Sequence, residues 1–378
     1  MIRIAYLIDT IVCDTAGTQK QLLETIKRLD KSAFTPHLIC LWESEWMRQH
    51  ALPCDHTVLG YRGFIKPNFP KVIHRLHKLI HCHEFHIIQT FFEDAIFVGF
   101  LGGFLSRPRP ILLSSRRDMG LGEGNQPIYH RLYKLSLPFV NKSFAGIVTN
   151  STQIKAYVAK RERTKPGKIK VVCNGIDIVP STEEIPDLLL KYRCDVRIGI
   201  VASLTPVKRH DLFLNAFALL KSAISGLRFN AVLLGDGPEK GKLIQLARHL
   251  DIHQEVIFAG AVNNVGAYLP HLDIGVLCSD REGLSNAIME YMAASLPVIA
   301  TAVGGNVELV DTTNGICVPS GNPQALANAM QQLVEDQHLR KRLGQGSLVK
   351  LRENYSWSKT MTLVENYYRN LVSRMKNC

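Results

Sequence analysis

The sequence predicts an α/β protein of two Rossmann-like domains, each built on a parallel sheet, and three observations carry that reading. Short apolar runs rich in β-branched residues alternate with amphipathic helical patterns from one end of the chain to the other. The alternation pauses once, in a polar, proline-containing stretch at 178–187, and restarts near residue 197. At 378 residues the chain is too long for one ordinary hydrophobic core and long enough for two.

In the first half, residues 3–9, 37–42, 87–91, 111–114, 146–150 and 170–173 read as strands, with amphipathic helices at 18–29 and 152–163. In the second, the strands are 197–202, 229–235, 255–258, 274–278 and 297–301. A long amphipathic pattern at 357–375 lies beyond the last of them. The expected division is a first domain at 1–178, a second at 179–355, and a C-terminal helix at 356–378 that crosses back to the first domain. Residues 95–105 are the most apolar stretch, but they fall well short of the roughly 20 residues that span a bilayer. They read as a buried core helix.

An apolar content of 46% with 21% charged residues excludes a disordered or fibrous chain. The nine cysteines are scattered, odd in number and form no Cys-x-x-Cys pair, which fits a reducing cytoplasm. The run from Met1 stops at Asp9, before a signal-peptide core could form. Charge is uneven. Residues 1–178 hold 25 Lys/Arg against 14 Asp/Glu, and the remainder 20 against 19. A basic first half fits either an anionic partner, such as a phosphorylated lipid, an anionic membrane surface or an acidic acceptor, or a solvated basic face. The basic residues are dispersed without interleaved aromatics, so nucleic acid is not expected.

Candidate chemistry lies at the carboxyl ends of the strands, where parallel sheets place their ligands. The segment Glu282-Gly283-Leu284-Ser285-Asn286-Ala287-Ile288-Met289-Glu290 follows a strand and runs into a helical pattern. Glu282 falls in the loop and Glu290 in the second helical turn, and the amides of Leu284, Ser285 and Asn286 lie at the helix start. Such amides bind anions, while carboxylates accept hydrogen bonds from paired hydroxyls. Gly17 suits a first strand-to-helix loop whose backbone must approach a ligand closely. The run Gly235 to Lys242 lacks the Ser/Thr of a triphosphate loop and reads as a strand-to-helix turn. His74, His77 and His81 share a helical face opposite the apolar positions, which reads as a solvated face rather than a metal site.

Glu282 to Glu290, followed by Ala294-Ser295-Leu296-Pro297-Val298-Ile299-Ala300-Thr301 and Gly304-Gly305-Asn306-Val307-Glu308, resembles the retaining GT-B-fold glycosyltransferases of family four. Asn174-Gly175-Ile176-Asp177 is similar to their domain-joining turn, and Val207-Lys208-Arg209-His210-Asp211 to their phosphate-binding loop. Gly235 to Glu239 resembles their mid-domain glycine turn, and Ala16-Gly17-Thr18-Gln19 their N-terminal glycine loop. The resemblance implies two domains facing across a cleft and transfer of a sugar from a nucleotide-sugar, UDP-linked in this reading. Glu290 would grip the ribose, Glu282 the donor sugar, and Lys208 the diphosphate. Gly17, Gly235, Gly283, Leu284, Ser285 and Asn286 would line the donor.

Departures are informative. The family's arginine beside the leucine of Ala202-Ser203-Leu204-Thr205-Pro206 is missing, with Arg209 as the candidate replacement. Family histidines after the middle strand of the first domain are replaced by Gln89 and Phe91. Arg116 and Arg117, with Thr18, become the candidates for an acceptor or phosphate. Ser295 stands where the family often has a left-handed glycine. No Asp-x-Asp pair occurs, so neither a metal nor another cofactor is expected. The implied acceptor is a glycan or glycolipid hydroxyl in surface polysaccharide or lipopolysaccharide synthesis, reached from the cytoplasm or the inner face of its membrane. The rivals are a nucleotide-sugar epimerase or hydrolase of the same fold, and a non-catalytic basic binding protein.

Overall fold

The computed structural model describes residues 1–15, 17–117, 128–180, 184–262 and 264–376. They fold into two compact units, Met1–Gly175 with Ser358–Cys378, and Ile176–Trp357.

The first unit begins β1 (Ile2–Ile8), α1 (Gly17–Arg28), β2 (Phe34–Cys40), α2 (Glu45–Gln49), β3 (His56–Val58) and α3 (Phe69–His83). It continues β4 (Ile87–Phe91), α4 (Glu93–Leu105), β5 (Ile111–Arg116), α5 (Ile128–Ser143), β6 (Gly146–Thr149), α6 (Thr152–Arg161) and β7 (Ile169–Val171). The second unit holds α7 (Asp187–Leu190), β8 (Val196–Val201), α8 (His210–Ala223), β9 (Phe229–Leu234), α9 (Lys240–His249) and β10 (Val256–Gly260). After these come β11 (Ile274–Leu277), α10 (Asn286–Ala293), β12 (Val298–Thr301), α11 (Asn306–Leu309), β13 (Gly315–Val318), α12 (Pro323–Glu335) and α13 (Gln337–Asn354). The last helix, α14 (Trp357–Lys376), returns to the first unit.

Every pairing between named strands is parallel, and the described residues form one sheet of seven strands and one of six. Helices cover both faces, so central strands are buried throughout: β4 and β9 are buried at every position, Gln89, Thr90 and Asn230 included. The first sheet runs β3-β2-β1-β4-β5-β6-β7 and the second β10-β9-β8-β11-β12-β13. Strand order therefore reverses between β1 and β4, and again between β8 and β11. At each reversal the two flanking loops diverge to opposite faces, leaving a crevice at the strand ends.

α14 is anchored to the first sheet by a buried chain of hydrogen bonds. The Tyr368 hydroxyl donates to Gln89 Oε1 at 2.5 Å and lies 3.3 Å from the Tyr6 hydroxyl. Gln89 Nε2 donates in turn to Ser115 Oγ at 2.8 Å. Gln89, at a position where the family carries histidine nearby, is thus committed to the interior. α4, expected to be a buried core helix, is buried along one side only, with Phe104 and Leu105 exposed at its end, and glycines let the buried side pack closely. A Cβ on Gly99, Gly102 or Gly103 would come within 2.6, 2.5 and 2.5 Å of Thr90, Leu76 and Leu112. Among the described residues no helix is long and apolar enough to cross a membrane.

Candidate active site

The crevice of the second sheet gathers most of the residues singled out in the sequence. β8 and β11 pair only through Ile274 with Ile198 and Gly275 with Gly199, and then splay apart. Tyr291 of α10 fills the split: its hydroxyl accepts from the Val201 amide at 2.6 Å and donates to the Val276 carbonyl at 3.1 Å. Gly275 makes room for it, since a Cβ there would fall 2.4 Å from the Tyr291 ring. This plug fixes α10 directly beneath the diverging loops. Burial holds the Tyr291 phenol far above its ordinary range; the Val201 amide opposes it, and the charges of Glu290 and Glu282 add to it.

The loops after β8 and β11 are stitched together. The Asp280 amide donates to the Val207 carbonyl at 2.9 Å, and Cys278 Sγ donates to the carbonyls of Lys208 and Arg209 at 3.3 and 3.1 Å. As a result Lys208 Nζ lies 2.6 Å from Glu282 Oε1, which also accepts from Ser279 Oγ at 2.6 Å. The lysine and the glutamate drawn from separate motifs are therefore direct partners. Both are only partly shielded, so an arriving anion can compete for the ammonium group.

Gly283 sits against Gly305, whose amide donates to its carbonyl at 2.7 Å. Side chains are excluded here: a Cβ on Gly304 would lie 1.9 Å from the Glu282 carbonyl, and one on Gly305 2.2 Å from that of Gly283. Leu284 and Ser285 are buried, and Ser285 caps α10 by accepting from the Ile288 amide at 3.3 Å. Asn286 opens the helix and Glu290 stands in its second turn. A helix N-terminus offers its remaining first-turn amides and the positive end of its dipole to an anion.

Arg209 is placed beside Lys208 but faces elsewhere. It caps α8 in a left-handed conformation, φ 51°, and its guanidinium is held by Asp211 at 3.0 Å and Asp280 at 3.1 Å. Those carboxylates keep it firmly protonated. The next residue, His210, is buried, and neither ring nitrogen has a hydrogen-bond partner. Burial and the nearby Lys208 charge push its imidazole down to about 4, so it stays neutral at physiological pH. Gly235 packs its backbone on the Ala202 carbonyl, where a Cβ would intrude to 2.0 Å. Packing alone accounts for glycine at that position.

In the first unit, Gly17 and Thr18 open α1. The preceding loop is folded by Gln19, whose Oε1 accepts from the amides of Val12 at 2.8 Å and Cys13 at 3.3 Å. Ala16, and Asp118 to Gly120, lie outside the described residues. The two arginines part company. Arg116, a phosphate candidate in the sequence, is committed to the interior instead: Glu162 takes its Nε at 2.9 Å and its Nη2 at 3.0 Å, and Asn141 also accepts from Nη2 at 3.2 Å. Its charge is thus paired with a nearby buried carboxylate. Among the described residues Arg117 has no carboxylate partner; it donates to Asn174 Oδ1 at 2.7 Å, its Nε is buried without a partner, and burial lowers it to about 10.

The sequence signals missed Ser279 and Tyr291. Ser279 is one serine in a loop, and Tyr291 reads as a core aromatic. Nothing in spacing distinguishes a tyrosine that bridges two strands from one that only packs.

The glycosyl transferases group 1 model matches residues 181–348, and the glycosyltransferase family 4 model matches residues 15–179. The chain belongs to the family 4, group 1 glycosyltransferases. It is 28% identical to N-acetyl-alpha-D-glucosaminyl L-malate synthase of Bacillus anthracis over 57% of this chain, and spans 58% of that relative's length. It is 24% identical to the N-acetylgalactosamine-N,N'-diacetylbacillosaminyl-diphospho-undecaprenol 4-alpha-N-acetylgalactosaminyltransferase of Campylobacter jejuni, covering 63% of this chain and 67% of that one. Among solved structures, Anabaena HepE in complex with UDP superposes with a TM-score of 0.81 at 20% identity, covering 98% of this chain and all of the other. That likeness shows the GT-B fold with its two Rossmann-like domains.

One sequence expectation about the site's scaffold is met in the backbone. Ser295, just beyond the end of α10, adopts φ 58°. Its carbonyl is packed so tightly by α13 that a Cβ on Gly344 would come within 2.1 Å of it, so the turn cannot relax. Ser295→Gly is expected to raise the melting temperature by roughly 1–4 °C, relief of the left-handed strain outweighing the added chain entropy. A lower melting temperature in calorimetry would show that the serine is not strained.

Proposed function

We propose that this glycosyltransferase retains anomeric configuration and moves a hexose from a UDP-sugar, without a metal ion, to a hydroxyl of a glycan or lipid-linked acceptor. The observation that carries the donor half is the Lys208–Glu282 pair, held at the crevice between β8 and β11 beside the N-terminus of α10. A nucleoside diphosphate leaving group gathers negative charge as its bond to the sugar breaks. Lys208 and the α10 amides are positioned to take up that charge. Once the phosphates draw Lys208 away, Glu282 remains oriented by Ser279 and free to accept hydrogen bonds from sugar hydroxyls. With a lysine and a helix N-terminus performing the neutralisation, the diphosphate needs no divalent cation. The bound UDP of HepE supports uridine as the base.

For the acceptor, the names of the two relatives give malate in one case and an undecaprenol diphosphate-linked sugar in the other. Both are anionic, as the basic first half of this chain favours. Arg117, with an unpartnered buried Nε, is the side chain of the first unit best placed to meet such a group, and we assign the chain to surface polysaccharide or lipopolysaccharide synthesis at the cytoplasmic face of the membrane. The test is Glu290→Ala. Loss of a hydrogen bond from ribose to a charged carboxylate should weaken UDP binding by about 1.5–3 kcal/mol in calorimetry. Unchanged affinity would remove Glu290 from the donor site.

A further inference from the structure

α3, α4 and α5 lie side by side over one face of the first sheet and share its core through Leu76, Ile96 and Val140. Their outer side is unusual. Leu135 and Phe139, one helical turn apart on α5, are 78% and 67% exposed, and Phe104 and Leu105 at the end of α4 are 43% and 61% exposed. The loop before α3 leads to the same helices, since the Phe64 ring packs 6.2 Å from Phe97 of α4 and 5.8 Å from Tyr133 of α5. Beside Phe64, Ile65 is 93% exposed. Side chains of this size left in water, on helices whose inner faces are fully satisfied, need a partner.

The charge around them says which. α3 and α5 contain no carboxylate, and α4 has none after Asp94. Lys78, Arg107, Arg109 and Lys142 are all exposed on these helices and their ends, and Arg109 lies over the Phe104 ring at 4.5 Å. A second copy of this face would bring like charges together. Leu105 and Leu135, half of the exposed set, offer no stacking platform for nucleic-acid bases. Apolar residues among cations, on helices that carry no carboxylate after Asp94, match the boundary between the headgroups and acyl chains of an anionic bilayer.

We infer that the α4–α5 face of the first unit is a docking surface for anionic lipid, with Phe104, Leu105, Leu135 and Phe139 entering the headgroup layer. The assignment rests on this surface alone, and it would bring the enzyme to the lipid-linked acceptor proposed above. The full chain should sediment with vesicles of phosphatidylcholine and phosphatidylglycerol, far less with phosphatidylcholine alone, and release as salt rises. L135S/F139S should lower partitioning at least about tenfold, because the lost apolar insertion is not replaced by charge. Its melting temperature and UDP affinity should match the parent chain, since neither residue supports the core or the donor site. Three results would overturn the inference: no binding to anionic vesicles at low salt, equal binding by L135S/F139S, or a dimer of the parent chain that L135S/F139S dissociates, which would give the face to a second copy. Vesicle binding is read without glycosyl transfer, so failure here leaves the donor reading standing, and an unaltered UDP affinity in E290A leaves this one standing.

Discussion

Lys208→Ala is expected to lower turnover by roughly 10²- to 10³-fold, the usual cost of removing one preorganised group from a charge that develops in the transition state. The ammonium sits 2.6 Å from Glu282 Oε1 in the free protein, so donor binding must exchange one anionic partner for another. That exchange contributes little to ground-state affinity. As the glycosidic bond breaks, the leaving phosphate becomes more anionic than either ground-state partner, and the lysine's interaction strengthens where it lowers the barrier. The variant should therefore lose far more in kcat than in UDP affinity. Folding should be nearly unaffected, because Ser279 still donates to the Glu282 carboxylate and solvent reaches it. Steady-state kinetics on a UDP-sugar beside calorimetry with UDP makes the comparison. Equal losses in the two would reduce Lys208 to a binding residue.

Much of this arrangement was legible because parallel α/β units announce themselves twice, through apolar runs and through the loops that follow them. β4 falls where the sequence placed it, at Ile87–Phe91, since three of its residues are large and apolar and the buried Gln89 is held by hydrogen bonds. β3 and β13 did not stand out: they have three and four residues, and neither is buried throughout. The junctions show a similar limit. The compact units divide after Gly175 and after Trp357, whereas composition shifts near 178 and 355. Gly175 belongs with the first unit because the Gln21 side chain bonds both its carbonyl and its amide, at 2.9 and 3.1 Å, a tertiary contact no local pattern encodes.

At the site, backbone requirements were readable and side-chain allegiances were not. The left-handed Ser295 and the helix start at Ser285 follow from position in a loop. Whether Arg116 or Arg117 keeps a free donor depends on Glu162, which lies 46 residues further along the chain. Only the fold brings that carboxylate to one arginine and withholds it from the other.

Asp9→Asn is expected to stabilise the first unit by up to about 4 kcal/mol above neutral pH and to flatten its pH dependence between about 4 and 7. Asp9 ends β1 at the crevice of the first sheet, where its Oδ1 accepts from the Ala95 amide at 3.2 Å. Burial, and then the charge of Asp94, push its carboxyl up to about 7; the Ala95 amide opposes them and Glu93 adds to them. Asp94 itself accepts from the Tyr133 hydroxyl at 3.0 Å. The folded carboxyl thus binds its proton more tightly than the unfolded one, whose value lies near 3.8. Its stabilising contribution is fully present below pH 4, declines as the unfolded chain releases the proton, and is gone once pH has risen through 7. Asparagine keeps the acceptor for Ala95 and removes the titration, so the variant should match the parent at pH 4 and exceed it at pH 8. Denaturant midpoints across that range provide the measurement. A variant no more stable than the parent at pH 8 would mean that Asp9 is comfortably ionised in the folded state, its helix-terminal amide outweighing both burial and Asp94.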